Sequence, residues 1–88
     1  MIEMDKQYDE VLLILQEECA ELIQAICKVK RFGLQENKDN LVQEIADVLC
    51  MINLVYDKGV LVKDEDTLRE RITAKAERLK IFSNIFKT

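Results

Sequence analysis

Histidine is absent from this chain, which removes the commonest general base, the commonest transition-metal ligand and every serine–histidine or cysteine–histidine catalytic pairing. Any chemistry has to run on carboxylates, lysine and arginine. Proline and tryptophan are also absent and only two glycines occur, a composition that suits long helices joined by brief turns. The three cysteines, Cys19, Cys27 and Cys50, are an odd number without CxxC spacing. Each falls inside an apolar helical pattern, which predicts buried free thiols in a reducing compartment and no structural disulfide. No apolar run approaches the roughly 18 residues needed to cross a bilayer, and the stretch from Met1 to Lys6 already carries Glu3 and Asp5. A cytoplasmic location is expected. An excess of basic residues is missing too. The formal net charge is −4 and the pI about 4.8, which argues against nucleic acid or an anionic membrane as a partner.

What is present is a pattern of helices. At 88 residues the chain makes one domain, 1–88, near the size at which a single core barely offsets conformational entropy, so association with a second copy is expected. Leu12, Leu15, Cys19, Leu22, Ile26 and Val29 alternate spacings of three and four, predicting one helix from about Asp5 to Arg31 with Gly33 as its stop. The polar stretch from Gln35 to Asn40 reads as a loop, with an Asn or Asp capping a second helix that runs to about Tyr56 before Gly59. Leu41, Ile45, Val48, Ile52 and Val55 form its apolar stripe. Val60–Val62 reads as a packed-down loop, since a single strand has nothing to pair with. Asp64 is the expected cap of a third helix traced by Leu68, Ile72, Leu79 and Phe82. The predicted class is all-α.

Acidic residues interrupt these apolar faces. At about 100° per residue, Glu18 projects between Leu15 and Leu22, with Glu21 one neighbour round and Glu17 further toward solvent. On the second helix Glu44 and Asp47 both fall within the apolar sector. A carboxylate facing a helix interface loses hydration that apolar contact cannot replace, so several of them together imply a cation. Two facing helices would gather four carboxylates, an oxygen-only donor set suited to Mg²⁺, with Mn²⁺ as a substitute. The hard, reluctantly dehydrated Mg²⁺ commonly shares its shell with substrate phosphates. On solvated faces, by contrast, EExxE is common and ExxD alone means little.

The third helix adds cations. Lys75 falls between Ile72 and Leu79 on the apolar side, where it needs an anion, and the planar fork of Arg78 matches phosphate oxygens. Snorkelling of Lys75 and an exposed ion pair for Arg78 are the plainer readings. Asn40 and Asn53 are candidates for contact with a base or sugar, with Asn40 equally suited to capping. Tyr8, Phe32, Tyr56, Phe82 and Phe86 can stack on a base or fill the core.

Glu17-Glu18-Cys19-Ala20-Glu21, followed after 22 residues by Glu44-Ile45-Ala46-Asp47, resembles the EExxE…ExxD signature of MazG-like all-α nucleotide pyrophosphohydrolases. The likeness covers roughly Leu12 to Arg78, and the words around both motifs resemble small phage-encoded and bacterial members. It implies hydrolysis of a nucleoside triphosphate between the α and β phosphates, giving a monophosphate and pyrophosphate. By the same likeness Glu18, Glu21, Glu44 and Asp47 would bind Mg²⁺, Glu17 would be an added ligand or the group that activates water, and Lys75 and Arg78 would contact phosphates. Thr73 stands where the family often has an asparagine. The resemblance also implies a homodimer, or a dimer of dimers, with a four-helix-bundle core built from three-helix protomers, and an active site to which Lys75 or Ser83–Thr88 of a neighbouring subunit can contribute. A phage-encoded member would act in the host cytoplasm.

The alternatives are hydrolysis of another phosphoanhydride, such as phosphoribosyl-ATP or (p)ppGpp, and a non-catalytic dimeric helical protein that retains the acids as a remnant site. A di-iron carboxylate bundle expects Glu-x-x-His pairs, which a chain without histidine cannot supply.

Overall fold

The computed structural model describes residues 5–87 and contains three α-helices, with no strand among the described residues. Met1–Met4 and Thr88, to which the readings of the N-terminal stretch and the C-terminal tail extend, lie outside the described residues. Helix α1 spans Lys6–Phe32, α2 spans Leu34–Asp57 and α3 spans Glu65–Phe82. None of them is long and apolar enough to cross a membrane.

Asp5 starts α1 by accepting a hydrogen bond from the Gln7 backbone N–H at 2.8 Å, which satisfies one of the free amides of the first turn. One residue, Gly33, then separates α1 from α2. Its φ of 98° and ψ of 154° lie in a region essentially reserved for glycine, and this single residue reverses the chain. The sequence reading placed a loop over Gln35–Asn40, and the structure corrects it: that stretch is the first two turns of α2. The reversal at Gly33 leaves nothing for a loop to do. Asn37 donates its side-chain amide to the Gly33 carbonyl at 2.9 Å, and Glu36 sits in the first turn, where negative charge suits the helix end. Asn40 is accordingly not a cap but an exposed interior residue of α2.

The two long helices form an antiparallel hairpin. Val11 near the start of α1 clusters with Met51 and Val55 near the end of α2, while acids halfway along each helix meet. Leu12, Ile14, Leu15, Leu54 and Val60 pack against the Val11 cluster, so of the segment Val60–Val62 only Val60 packs down as expected, while Leu61 and Val62 are exposed. Ala25, only 1% exposed, lies on the same seam, along the row Val11, Leu15, Glu18, Leu22, Ala25 and Val29.

This row is rotated from the stripe the sequence suggests. Cys19, Ile26, Ile45 and Ile52 are exposed, because they belong to a second apolar stripe about a quarter-turn away. On α1 that stripe holds Cys19, Ile23 and Ile26, and on α2 Val42, Ile45, Leu49 and Ile52, all exposed. In an antiparallel pair both stripes fall on one side of the hairpin. The expected burial of the cysteines is likewise corrected. All three are free and exposed, Cys19 on this second stripe and the others facing outward.

Helix α3 begins where predicted, with Asp64 accepting from the Thr67 backbone N–H at 3.0 Å and from its hydroxyl at 2.8 Å. Ser83 ends it by donating to the Leu79 carbonyl at 2.8 Å. Among the described residues the backbone of α3 comes close to neither α1 nor α2 and the helix contains no buried residue, its first turns sharing only a small groove with Tyr56 of α2. The chain is therefore open: its radius of gyration is 16.2 Å, against about 12 Å for a compact domain of this length. Its accessible surface is 7640 Å², against roughly 5,400 Å² for a compact monomer of this mass.

Candidate active site

Glu18, Glu44 and Asp47 converge at the middle of the hairpin, where one carboxylate oxygen of each lies within 4.8 Å of the others. Their placement follows from the seam itself. Glu18 occupies a position in the buried row of α1, and Glu44 and Asp47, three residues apart, point at it from α2. All three are half-buried. The Oε2 atoms of Glu18 and Glu44 are sealed from water and have no hydrogen-bond partner, a costly condition for a carboxylate.

Burial pushes the carboxyl groups of Glu18 and Glu44 above the usual carboxylate range, and the negative charges of Glu21 and Asp47 push them further the same way. Thus four carboxylates, Glu18, Glu21, Glu44 and Asp47, act electrostatically as one cluster, with Glu21 at its exposed edge. Glu17 is exposed, one position before Glu18 and turned toward solvent.

Two further side chains attend this cluster that the sequence reading passed over. Gln43 donates its side-chain amide to Asp47 Oδ1 at 2.8 Å, fixing the carboxylate and leaving Oδ2 free. The signal was the spacing of four between an amide and an acid on one helix. Lys28 is the cation whose charge partly offsets the upward push on Glu44. It lies seven residues after Glu21, on the same face of α1, and a lysine among exposed helix positions carries no mark that distinguishes it in sequence.

The donor set fits a hard divalent cation. It offers oxygen alone, it is over-supplied with negative charge, and it contains two buried acceptors that lack any donor. Oxygens sharing one Mg²⁺ at about 2.1 Å lie at most about 4.2 Å apart, a spacing close to that of oxygens that all lie within 4.8 Å of one another. Such a cluster can hold a metal, and through it a phosphate chain.

The remaining predicted site residues are not gathered here within one chain. Lys75 and Arg78 are exposed on α3, whose backbone does not come close to the helices that carry the acids. Asn40 is exposed one turn before Glu44, and Asn53 is exposed on the opposite side of α2 from Glu44. Of the aromatic residues, Tyr8 and Tyr56 are half-buried and Phe32, Phe82 and Phe86 are exposed.

Comparison with known proteins adds one match. A family model described as the MazG nucleotide pyrophosphohydrolase domain matches residues 6–77, a span that includes all five acids of both motifs. No curated protein and no solved structure matches the chain.

Proposed function

The chain belongs to the MazG nucleotide pyrophosphohydrolase family, and we propose that it is a Mg²⁺-dependent hydrolase that cleaves a nucleoside or deoxynucleoside triphosphate between the α and β phosphates, releasing a monophosphate and pyrophosphate. The observation that carries this reading is the meeting of Glu18, Glu44 and Asp47 within 4.8 Å, with two of their buried oxygens unpartnered. Glu18, Glu21, Glu44 and Asp47 would hold the metal. When bound, a divalent ion supplies neutralisation of phosphoryl oxygens and a lowered pKa for attacking water.

The chain's own residues supply the rest. Gln43 orients Asp47. Glu17, exposed beside the cluster, accepts the proton of the attacking water, a role that needs no histidine. Lys28, and Lys75 and Arg78 of α3, balance charge on the phosphates. Because α3 does not reach the acids within its own chain, we place Lys75 and Arg78 in the site of a neighbouring subunit.

That assembly is part of the proposal. The second apolar stripe, Cys19, Ile23 and Ile26 with Val42, Ile45, Leu49 and Ile52, is exposed along one side of the hairpin. Surface of this kind on a chain with accessible area well above that of a compact monomer fits a homodimer, or a dimer of dimers, with a four-helix core. The expected setting is cytoplasmic.

The test is a panel of ribo- and deoxyribonucleoside triphosphates with Mg²⁺, scored for pyrophosphate against orthophosphate and repeated with Glu44→Gln. Pyrophosphate from the native chain and none from the variant is expected. Orthophosphate as the sole inorganic product overturns the assignment of the bond.

A further inference from the structure

A groove of about 240 Å³ runs along the hairpin, with Val11, Ile14, Met51 and Leu54 as its floor and Gln7, Glu10 and Lys58 at its rim. By helical angle it lies on the opposite side of the seam from the second apolar stripe, so an interface along that stripe leaves the groove open. Its floor leads into the acids. Glu18 and Glu21 follow Ile14 by four and seven residues on α1, and Asp47 and Glu44 precede Met51 by the same four and seven on α2.

The C-terminal end of α3 repeats this spacing. Phe82, the last residue of the helix, is 82% exposed. Arg78 and Lys75 precede it by four and seven residues, which puts all three on one helix face. If α3 approaches α1 antiparallel and seats Phe82 against Ile14, Arg78 comes level with Glu18 and Lys75 with Glu21. The charges are complementary, and among the described residues neither cation takes part in an ion pair. An aromatic side chain filling an apolar pocket is a common anchor of protein interfaces.

A chain cannot dock its own Phe82 in this way. The first turns of α3 share a small groove with Tyr56, two residues past Leu54, so the helix starts beside the Val11 groove. Phe82 lies fourteen residues beyond Leu68, about 21 Å along the axis, and an uninterrupted helix does not double back over that distance. The occupant is a second copy. Resting on the reading of the acids as the phosphate site, we propose that Phe82 is a positioning residue: it anchors α3 in the groove of a neighbouring subunit and holds Arg78 and Lys75 over that subunit's acids.

The chain has no tryptophan, so Phe82→Trp makes position 82 its own reporter. In the assembled protein its emission is expected at shorter wavelength than that of free tryptophan, and Ile14→Asp in the same chain should abolish the shift. Refolding this double variant with an excess of native chains should restore the shift, because the groove then comes from another subunit. Far-UV circular dichroism checks that the Ile14→Asp chain is helical. A second measurement uses exposed positions only. Phe82→Ala is expected to lower kcat/KM for a triphosphate by up to about 100-fold, the scale of misplacing a group that holds substrate, and Phe82→Leu should recover most of that loss. Arg78→Ala should cost much less in the Phe82→Ala background than in the native chain. Emission like that of free tryptophan, a shift that survives Ile14→Asp, no restoration by native chains, or independent losses at 82 and 78 overturn the anchor even if pyrophosphate is released. The expected shift and restoration without hydrolysis of any triphosphate overturn instead the catalytic reading.

Discussion

Glu18 on α1 and Glu44 on α2 face one another across the hairpin seam, each with Oε2 hidden from water and without a hydrogen-bond partner. In the absence of a cation this arrangement sets charge against charge and costs stability. Replacing either acid by its amide should therefore move two properties in opposite directions. Glu44→Gln is expected to raise the melting temperature of the metal-free protein while weakening Mg²⁺ binding by more than the roughly 10–100-fold typical of losing an outer partner. Thermal melts in chelator and metal titration by calorimetry read the two effects. A variant that is less stable without metal would mean that the acids are not strained against each other.

The same pair makes stability depend on pH with a definite sign. Both carboxyl groups titrate above their ordinary value of 4.5 in the folded chain, so above that pH the folded state holds protons that the unfolded state has released. Their contribution is fully present below about 4.5 and is lost as pH rises through the elevated folded values. Bound metal reverses the trend, because it requires the deprotonated acids. Denaturant melts across the acidic-to-neutral range, with chelator and with Mg²⁺, should give slopes of opposite sign. Parallel slopes would count against a shared site.

Much of the site was legible in the sequence because the seam follows the helical spacing of three and four, and Glu18 interrupts that spacing where Leu or Ile belongs. The same rule placed Glu44 and Asp47 opposite it. What periodicity could not decide was which of two adjacent apolar stripes faces inward. Cys19, Ile26, Ile45 and Ile52 fit a helix stripe as well as Val11 and Ala25 do, and burial went to the stripe on which small Ala25 lets the helices approach. The false loop at Gln35–Asn40 had a different origin. Polar composition marks solvent contact, and a solvated helix face and a loop share it. Lys75 and Arg78 are a third case: they sit on a helix without a buried residue, where no packing decides what either side chain faces.

Gln43 is the outer support of the cluster. Its 2.8 Å bond to Asp47 Oδ1 restrains that carboxylate beside Glu18 and Glu44. Gln43→Ala is expected to lower Mg²⁺ affinity roughly tenfold with little change in helix content, since the residue is exposed. Gln43→Glu also removes the donor, but its added negative charge attracts the cation, so it should lose less Mg²⁺ affinity than the Ala form. Equal metal affinity in native and Ala forms would show that Asp47 needs no such support.

Gly33 carries the whole reversal between the long helices. With φ 98° and nothing within 4 Å of the position a Cβ would take, a substitution there meets no neighbour, and its cost is confined to the backbone. Gly33→Ala is expected to destabilise the hairpin by about 1–3 kcal/mol, measured by denaturant melts. Gly33→Asn should cost a similar amount, because the tolerance of asparagine for positive φ is mostly confined to the left-handed helical region and does not extend to the ψ of 154° found here.

Whether α3 serves its own chain or another decides how many subunits make one site. Within a chain its backbone does not come close to either helix that carries the acids, yet it holds Lys75 and Arg78, cations suited to phosphate. If these act across an interface, Asp47→Asn and Lys75→Ala chains are each inactive as pure assemblies, while a mixture contains sites with native acids from one chain and a native lysine from the other. Mixing the two after denaturation and refolding should restore activity to roughly a quarter of the native level in a random dimer, half of all assemblies being mixed and each keeping one intact site out of two. The measurement is pyrophosphate release as a function of mixing ratio, with a maximum at equal amounts. Zero activity at every ratio, with mixed assemblies demonstrated by native mass spectrometry, would place Lys75 in the site of its own chain and require α3 to fold back onto the hairpin on substrate binding.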